Sequence, residues 1–222
     1  RSLSLSCALG VQPVFYSRLL PLKGNTILGW GLKWSGQRAM SLAARHRRAF
    51  RLVEDGFLRS VGRDDLAGSL VLDSKGIYYD CTKPSDLESF AQNTLLQFEI
   101  ERARSLIEMW RSQRLSKYNA ERDVSAPLPS RYILVCDQTF GDASISHGRA
   151  NAQSFHGMLE AALADYPEHR IVLKIHPDVV TNSKKGHFDL VALAKNNRIR
   201  IISDPVHPSK LIAHADAVYT VT

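Results

Sequence analysis

The sequence predicts an α/β fold in two domains with parallel sheets, and three features carry that expectation. Short runs of aliphatic and β-branched residues alternate with stretches whose apolar residues recur at the helical period. A charged segment with two prolines and no apolar period, residues 117–130, interrupts the alternation, which then restarts. The chain, 222 residues with 44% hydrophobic and 23% charged, has enough apolar material for a core on each side of that break. The expected domains are 1–120 and 131–222.

The opening, RSLSLSCALG, is weakly apolar and lacks the extended hydrophobic core of a secretory signal. No apolar run approaches the roughly 20 residues of a membrane-spanning helix, so a cytoplasmic location is expected. Residues 26–29 read as a strand, Gly29-Trp30-Gly31 as a turn, 35–46 as a helix with Ser35 as its cap, and 49–53 as a second strand, together a βαβ unit. Residues 69–72 and 77–79 flank Asp73-Ser74-Lys75-Gly76, a turn sequence that predicts a hairpin. One long helix is expected from Ser85 to about Leu115, with Leu87, Phe90, Leu95, Phe98, Ala103, Leu106, Ile107 and Trp110 near a 3.6-residue period. Beyond the break come a strand (132–136), a glycine-containing loop (137–148), a helix (151–165) and a strand (170–175). A weaker helix (188–195), a strand (199–202), a short helix (208–213) and a strand (217–221) follow. The last strand reads as buried and nothing follows to cover it, so the second domain is expected to be incomplete.

Three cysteines tens of residues apart form neither a disulfide framework nor a zinc spacing, which fits a reducing compartment. Lys and Arg outnumber Asp and Glu by 29 to 22, a net +7 suited to phosphates, nucleotides, nucleic acid or an anionic membrane. Arg38, Arg45, Arg47, Arg48, Arg51, Arg59 and Arg63 crowd one stretch. They either complement the dipole at a helix end or bind anionic lipid or phosphate. Aromatic residues do not interleave with them as in a base-stacking platform, so nucleic acid is not an expected partner. The sequence contains no GxGxxG fingerprint, no phosphate loop of the GxxxxGK[ST] type, no His or Cys pair at zinc spacing and no EF-hand, which sets aside NAD, P-loop ATP chemistry and a metal centre.

Three segments at predicted strand ends carry candidate chemistry. Asp137-Gln138-Thr139-Phe140-Gly141-Asp142-Ala143-Ser144 follows the strand 132–136 at its carboxyl end, where open α/β sheets bind ligands. Asp137 and Asp142 are there as nucleophile and acid/base partner, or as a turn cap and a solvated loop acid, while Gly141 allows close backbone approach. Lys174-Ile175-His176-Pro177-Asp178 ends the next strand. Proline forbids helical continuation through His176 and sets it extended, so its imidazole either meets a phosphate, with Lys174 nearby, or satisfies a backbone carbonyl. In the first domain Glu54 and Asp55 end a strand, and adjacent side chains on an extended chain face opposite ways, so at most one faces a cleft.

Seven segments in order, GWGLKWSGQRA (29–39), LVEDGFLRSVG (52–62), LVLDSKGIYYD (70–80), RLSKYN (114–119), DQTFGDASI (137–145), KIHPDV (174–179) and VYTVT (218–222), resemble the KpsC/LipA family of bacterial capsule polysaccharide biosynthesis proteins. The resemblance implies a retaining β-Kdo glycosyltransferase of Gram-negative bacteria, using CMP-Kdo as donor and a (lyso)phosphatidylglycerol-linked glycolipid as acceptor. It implies work at the anionic cytoplasmic surface of the inner membrane, beside other capsule assembly proteins, with no cofactor and no metal. The implied fold is GT-B-like, two Rossmann-type domains with the second truncated, since family members continue past VYTVT. Carried over by motif, Asp142 is the nucleophile and Glu54 or Asp55 the acid/base. His176 contacts the CMP phosphate with Lys174 assisting, and Pro177, Gln138, Gly141 and Ser144 line the donor site. The competing expectation is a non-catalytic capsule assembly or export module that binds glycolipid or a partner protein.

Overall fold

The computed structural model describes residues 2–17, 21–62, 64–181 and 183–222; Arg63 of the basic stretch lies outside them. The chain divides into two units, Arg1–Ala120 and Glu121–Thr222. After a short helix α1 (Ser2–Leu9), the first unit holds β1 (Thr26–Trp30), α2 (Trp34–His46), β2 (Ala49–Asp55), β3 (Leu70–Asp73), α3 (Asp86–Ala91) and α4 (Gln97–Ser112). Its sheet has the order β1-β2-β3. β1 and β2 are parallel, from Thr26 opposite Ala49 to Trp30 opposite Val53, and β3 runs antiparallel to β2. Small residues set the βαβ packing. α2 buries Gly36, Ala39 and Ala43, and a Cβ placed on Gly29 of β1 would lie 2.5 Å from that of Ala39. Leu32, Leu52 and Ile77 form the core of this unit.

Two expectations for the first unit are corrected. Residues 70–73 form a strand, but its partner is β2 and not 77–79. Asp73 accepts the N–H groups of Lys75 and Gly76 on Oδ1 and that of Asp86 on Oδ2, so the carboxylate turns the chain straight into α3, and Ile77 enters the core. The single helix of 85–115 is two helices. Ser85 and Glu88 form a capping box that starts α3, and Glu99 accepts the Leu96 N–H at 2.8 Å, which starts α4 anew after Gln92-Asn93-Thr94. Neither helix buries a residue, so the apolar period is present but its face stays exposed.

The second unit contains β4 (Tyr132–Cys136), α5 (Ala143–His147), α6 (Ala152–Asp165), β5 (Arg170–Lys174), α7 (Pro177–Val180), α8 (Leu190–Leu193), β6 (Ile199–Ile202), α9 (Pro208–Ala213) and β7 (Ala217–Tyr219). Its sheet has the order β6-β5-β4-β7 and every pairing is parallel. Strand alternation sorts the core onto two faces. Ile133, Val135, Ile171 and Leu173 pack with Phe155, Met158, Leu159 and Ala162 of α6, whereas Tyr132, Leu134, Val172 and Ile202 pack with Leu211 of α9. Val124 and Leu128 join the second face, so residues 121–130, read from sequence as a break, go with this unit, which begins at Glu121 and not at residue 131. α5 and α7 form where only loop was expected.

Candidate functional site

Because the strands of the second unit are all parallel, the chain leaves β4, β5 and β7 at one edge of the sheet, its carboxyl edge. There the loop after β4 turns at Gly141, whose φ of 75° lies in the left-handed region, and enters α5. Asp142 caps α5, with Oδ1 accepting the Ser144 N–H at 3.0 Å, and the side chain is exposed. Ile145 is buried and anchors the short helix. Gln138 Nε2 donates to Thr222 Oγ1 at 2.8 Å, and the Thr222 hydroxyl lies 3.1 Å from Ser144 Oγ. The structure therefore brings Gln138 and Ser144 together and adds Thr222, which sequence reasoning did not single out.

His176 follows β5 at the same edge. Its backbone is extended, as Pro177 dictates, but Pro177 opens a helix instead of forbidding one: His176 is the N-cap of α7. Nδ1 accepts the Asp178 N–H at 3.1 Å, so the expected bond to a backbone carbonyl is replaced by one from a backbone N–H. A neutral imidazole that accepts at Nδ1 carries its proton on Nε2, which makes that atom a donor. His207-Pro208 repeats the device at α9, with Nδ1 accepting from Ser209 N–H at 3.3 Å. The two differ in burial: His207 is buried, whereas the His176 side chain is 35% exposed.

Lys174 is engaged otherwise. Its ammonium donates to the carbonyls of Ile175 (2.8 Å) and Asp204 (3.0 Å), and burial pushes its pKa down. Burial likewise pushes the Cys136 thiol up. Both line a cleft of ≈ 170 Å³ with Asp137, His176, Pro177 and Val206.

Asp137 is more than the cap of a turn. Its side chain is 1% exposed; Oδ1 accepts from His187 Nδ1 at 3.0 Å and from the Gln138 N–H at 2.9 Å. Asp137 Oδ2 is buried with no hydrogen-bond partner among the described residues, close against Gly186, where a Cβ would come within 2.8 Å of it. The His187 ring, 2% exposed, stacks on Phe155 with centroids 3.6 Å apart. The pair, with the Phe140 N–H donating to the Lys185 carbonyl, ties the loop after β4 to the loop after α7. A broad hollow of ≈ 800 Å³ opens beside this tie, lined by Phe140, Val179, Ser183, Lys184, Lys185 and Gly186. Nothing local in Lys-Lys-Gly-His marks His187 in the sequence; only the tertiary stack reveals it.

In the first unit the two adjacent carboxylates are divided between different partners. Asp55 pairs with Arg59 at 3.1 Å. Glu54 Oε1 accepts the Trp30 indole N–H at 3.0 Å, and Oε2 lies against Gly31, whose φ is 53° and where a Cβ would sit 2.8 Å from it. The Tyr79 hydroxyl, which accepts the Leu32 N–H at 3.0 Å, lies equally close to that Cβ position, at 2.8 Å. Among the described residues no cluster of His, Cys, Asp and Glu could hold a metal ion, and no helix is long and apolar enough to cross a membrane.

A family model described as capsule polysaccharide biosynthesis protein matches residues 25–128 and 97–222. This chain belongs to that family. The capsule polysaccharide modification protein LipA of Neisseria meningitidis serogroup B is 37% identical over 212 residues, 90% of this chain and 30% of LipA. The lipopolysaccharide-processing protein LpsZ of Rhizobium meliloti is 36% identical over 183 residues, 77% of this chain and 40% of LpsZ. Among solved structures, KpsC of Thermosulfurimonas dismutans, a beta Kdo 2,4 transferase, superposes with a TM-score of 0.85 at 33% identity, over 97% of this chain and 68% of that one. A second KpsC structure from the same organism, a beta Kdo 2,7 transferase, gives 0.58 at 27% identity, over 87% and 57%. The chain thus spans about 30% of the length of the LipA it matches. Its α/β, GT-B-like class and its place in the KpsC/LipA family follow from these matches together with the parallel-stranded units.

Proposed function

We propose that this chain acts in capsule polysaccharide synthesis as a Kdo glycosyltransferase, moving Kdo from CMP-Kdo to a (lyso)phosphatidylglycerol-linked acceptor with retention of configuration. The observation that carries the reading is the superposition along 97% of the chain on a beta Kdo 2,4 transferase at 33% identity. Asp142 is the nucleophile in this reading. Its exposed carboxylate attacks the Kdo anomeric carbon, the bond from that carbon to the CMP phosphate oxygen breaks, and CMP departs with the electron pair. The acceptor hydroxyl then attacks the same carbon, gives its proton to a carboxylate base, and displaces Asp142; two inversions amount to retention.

Glu54 suits the base better than Asp55, because Arg59 holds Asp55 as its ion-pair partner. His176 supports the departing CMP, since an imidazole capping α7 through Nδ1 presents Nε2–H to a phosphate. Gln138, Ser144 and Gly141 supply hydrogen-bonding groups and close backbone approach beside Asp142. Lys174 has a supporting part, as its ammonium already serves two carbonyls. No resident cofactor enters these steps.

Intact-protein mass spectrometry after incubation with CMP-Kdo tests the reading. The expected outcome is a mass increase of one Kdo residue that disappears in Asp142→Asn. No increase, with no CMP binding by calorimetry, would instead favour a non-catalytic capsule assembly module.

A further inference from the structure

The positive charge of this chain is concentrated at one end. Residues 1–53 contain nine Lys and Arg and no Asp or Glu, whereas the remaining 169 residues carry 20 basic and 22 acidic side chains. The whole excess of +7 therefore lies ahead of Glu54. Four of these arginines have no carboxylate partner: among the described residues, no Asp or Glu forms an ion pair with Arg38, Arg45, Arg47 or Arg48. Arg48 donates to the neutral amide oxygen of Asn25 at 2.7 Å.

The helix that carries this charge has two unlike faces. Gly36, Ala39 and Ala43 of α2 are buried, and the 3.6-residue period places Trp34, Arg38, Ser41 and Arg45 on the opposite side. Trp34 is 71% exposed. The Arg38 guanidinium lies 5.1 Å from the Trp34 ring centre and 5.4 Å from that of Tyr16, which holds the segment before Tyr16 beside α2. Phe15 and Val14 in that segment are 83% and 70% exposed. Unpaired arginines alone would suit any polyanion. Exposed Trp, Phe and Val beside them suit a partner that has an anionic surface with hydrocarbon beneath it.

We propose that the outer face of α2, with Val14, Phe15 and Tyr16, is a docking surface for an anionic phospholipid bilayer. Arg38, Arg45 and Arg48 meet the headgroup phosphates, and Trp34, Phe15 and Val14 enter the boundary between headgroups and acyl chains. The inference rests on the glycolipid acceptor of the reading above for its purpose. Its physical basis is the charge and exposure of this face alone.

Vesicle sedimentation of the full chain without CMP-Kdo tests it. The protein is expected to sediment with phosphatidylcholine vesicles containing phosphatidylglycerol and to stay in solution with phosphatidylcholine alone. Arg38→Gln with Arg45→Gln removes two surface cations and should lower the partition coefficient about 30-fold at low salt. Brominated acyl chains should quench tryptophan fluorescence, and Trp34→Phe should abolish the quenching. Equal sedimentation with neutral vesicles, or an unchanged coefficient in the arginine variant, would overturn the proposal. Quenching that persists in Trp34→Phe would come from Trp30 or Trp110 and would overturn the part given to Trp34. Equal retention on soluble polyphosphate without quenching would assign the arginines to a soluble polyanion. Failure of the transfer reaction alone would leave vesicle binding intact with no Kdo adduct, so the two readings fail separately.

Discussion

At the scale of single residues, two identical dipeptides build the same cap but differ in burial. His176 and His207 each cap a helix through Nδ1 with proline at the first helical position, yet only His176 keeps a substantial part of its ring in solvent. His176→Ala should lose the cap, about 1 kcal/mol of stability, and in addition weaken donor binding about tenfold or more through the lost hydrogen bond to phosphate. His176→Asn separates the two effects. Its side-chain oxygen restores the cap, so the melting temperature should recover while the donor titration stays weak. Recovery of both would remove His176 from donor binding. Some of the candidate residues in each unit were legible in the sequence: the Pro after His176 gave its extended backbone, and the period of two gave Glu54 and Asp55 different partners. The Asp137–His187 pair was not, since its members are 50 residues apart and meet only through a ring stack on Phe155.

At the scale of elements, local side-chain to backbone hydrogen bonds overruled hydrophobic period. Leu87, Phe90, Phe98 and Trp110 keep a helical spacing, but Glu99 caps Leu96 and starts a second helix where the period alone predicts one. Asp73 ends β3 by the same means. A polar link also joins β7 to its neighbours. The Tyr219 hydroxyl donates to Asp165 Oδ2 at 2.7 Å, tying the strand to the end of α6, and that bond raises the phenol pKa from 10.0 to about 12. A folded-state pKa above the unfolded one means that the folded protein holds the proton longer. The contribution is fully present below pH 10 and is lost as pH rises toward about 12. Tyr219→Phe should therefore be less stable than the parent at neutral pH and show a shallower fall in stability across that alkaline window. Parallel pH profiles for the two proteins, followed by urea unfolding, would rule the link out as a source of stability.

At the scale of the whole molecule, the two units have cores of different size. The first rests on Leu32, Leu52 and Ile77 with partly buried neighbours, whereas the second buries both faces of a four-stranded parallel sheet. All three tryptophans, Trp30, Trp34 and Trp110, lie in the first unit, so their fluorescence reports on that unit alone. Urea unfolding followed by tryptophan fluorescence should have its midpoint below that followed by far-UV circular dichroism. Coincident curves would mean that the two units unfold as one. The sequence by itself determined the α/β alternation, the parallel second sheet, the two-part organisation and the family, because strand and helix periods, turn residues and ordered motifs are local properties of the chain. Only the tertiary structure decided that residues 121–130 join the second core, that β3 pairs with β2, that Asp137 is held by His187, and that the face of α2 carrying Trp34 and Arg38 turns outward. Those outcomes depend on which distant side chains fill the same space, and spacing along the chain does not encode that.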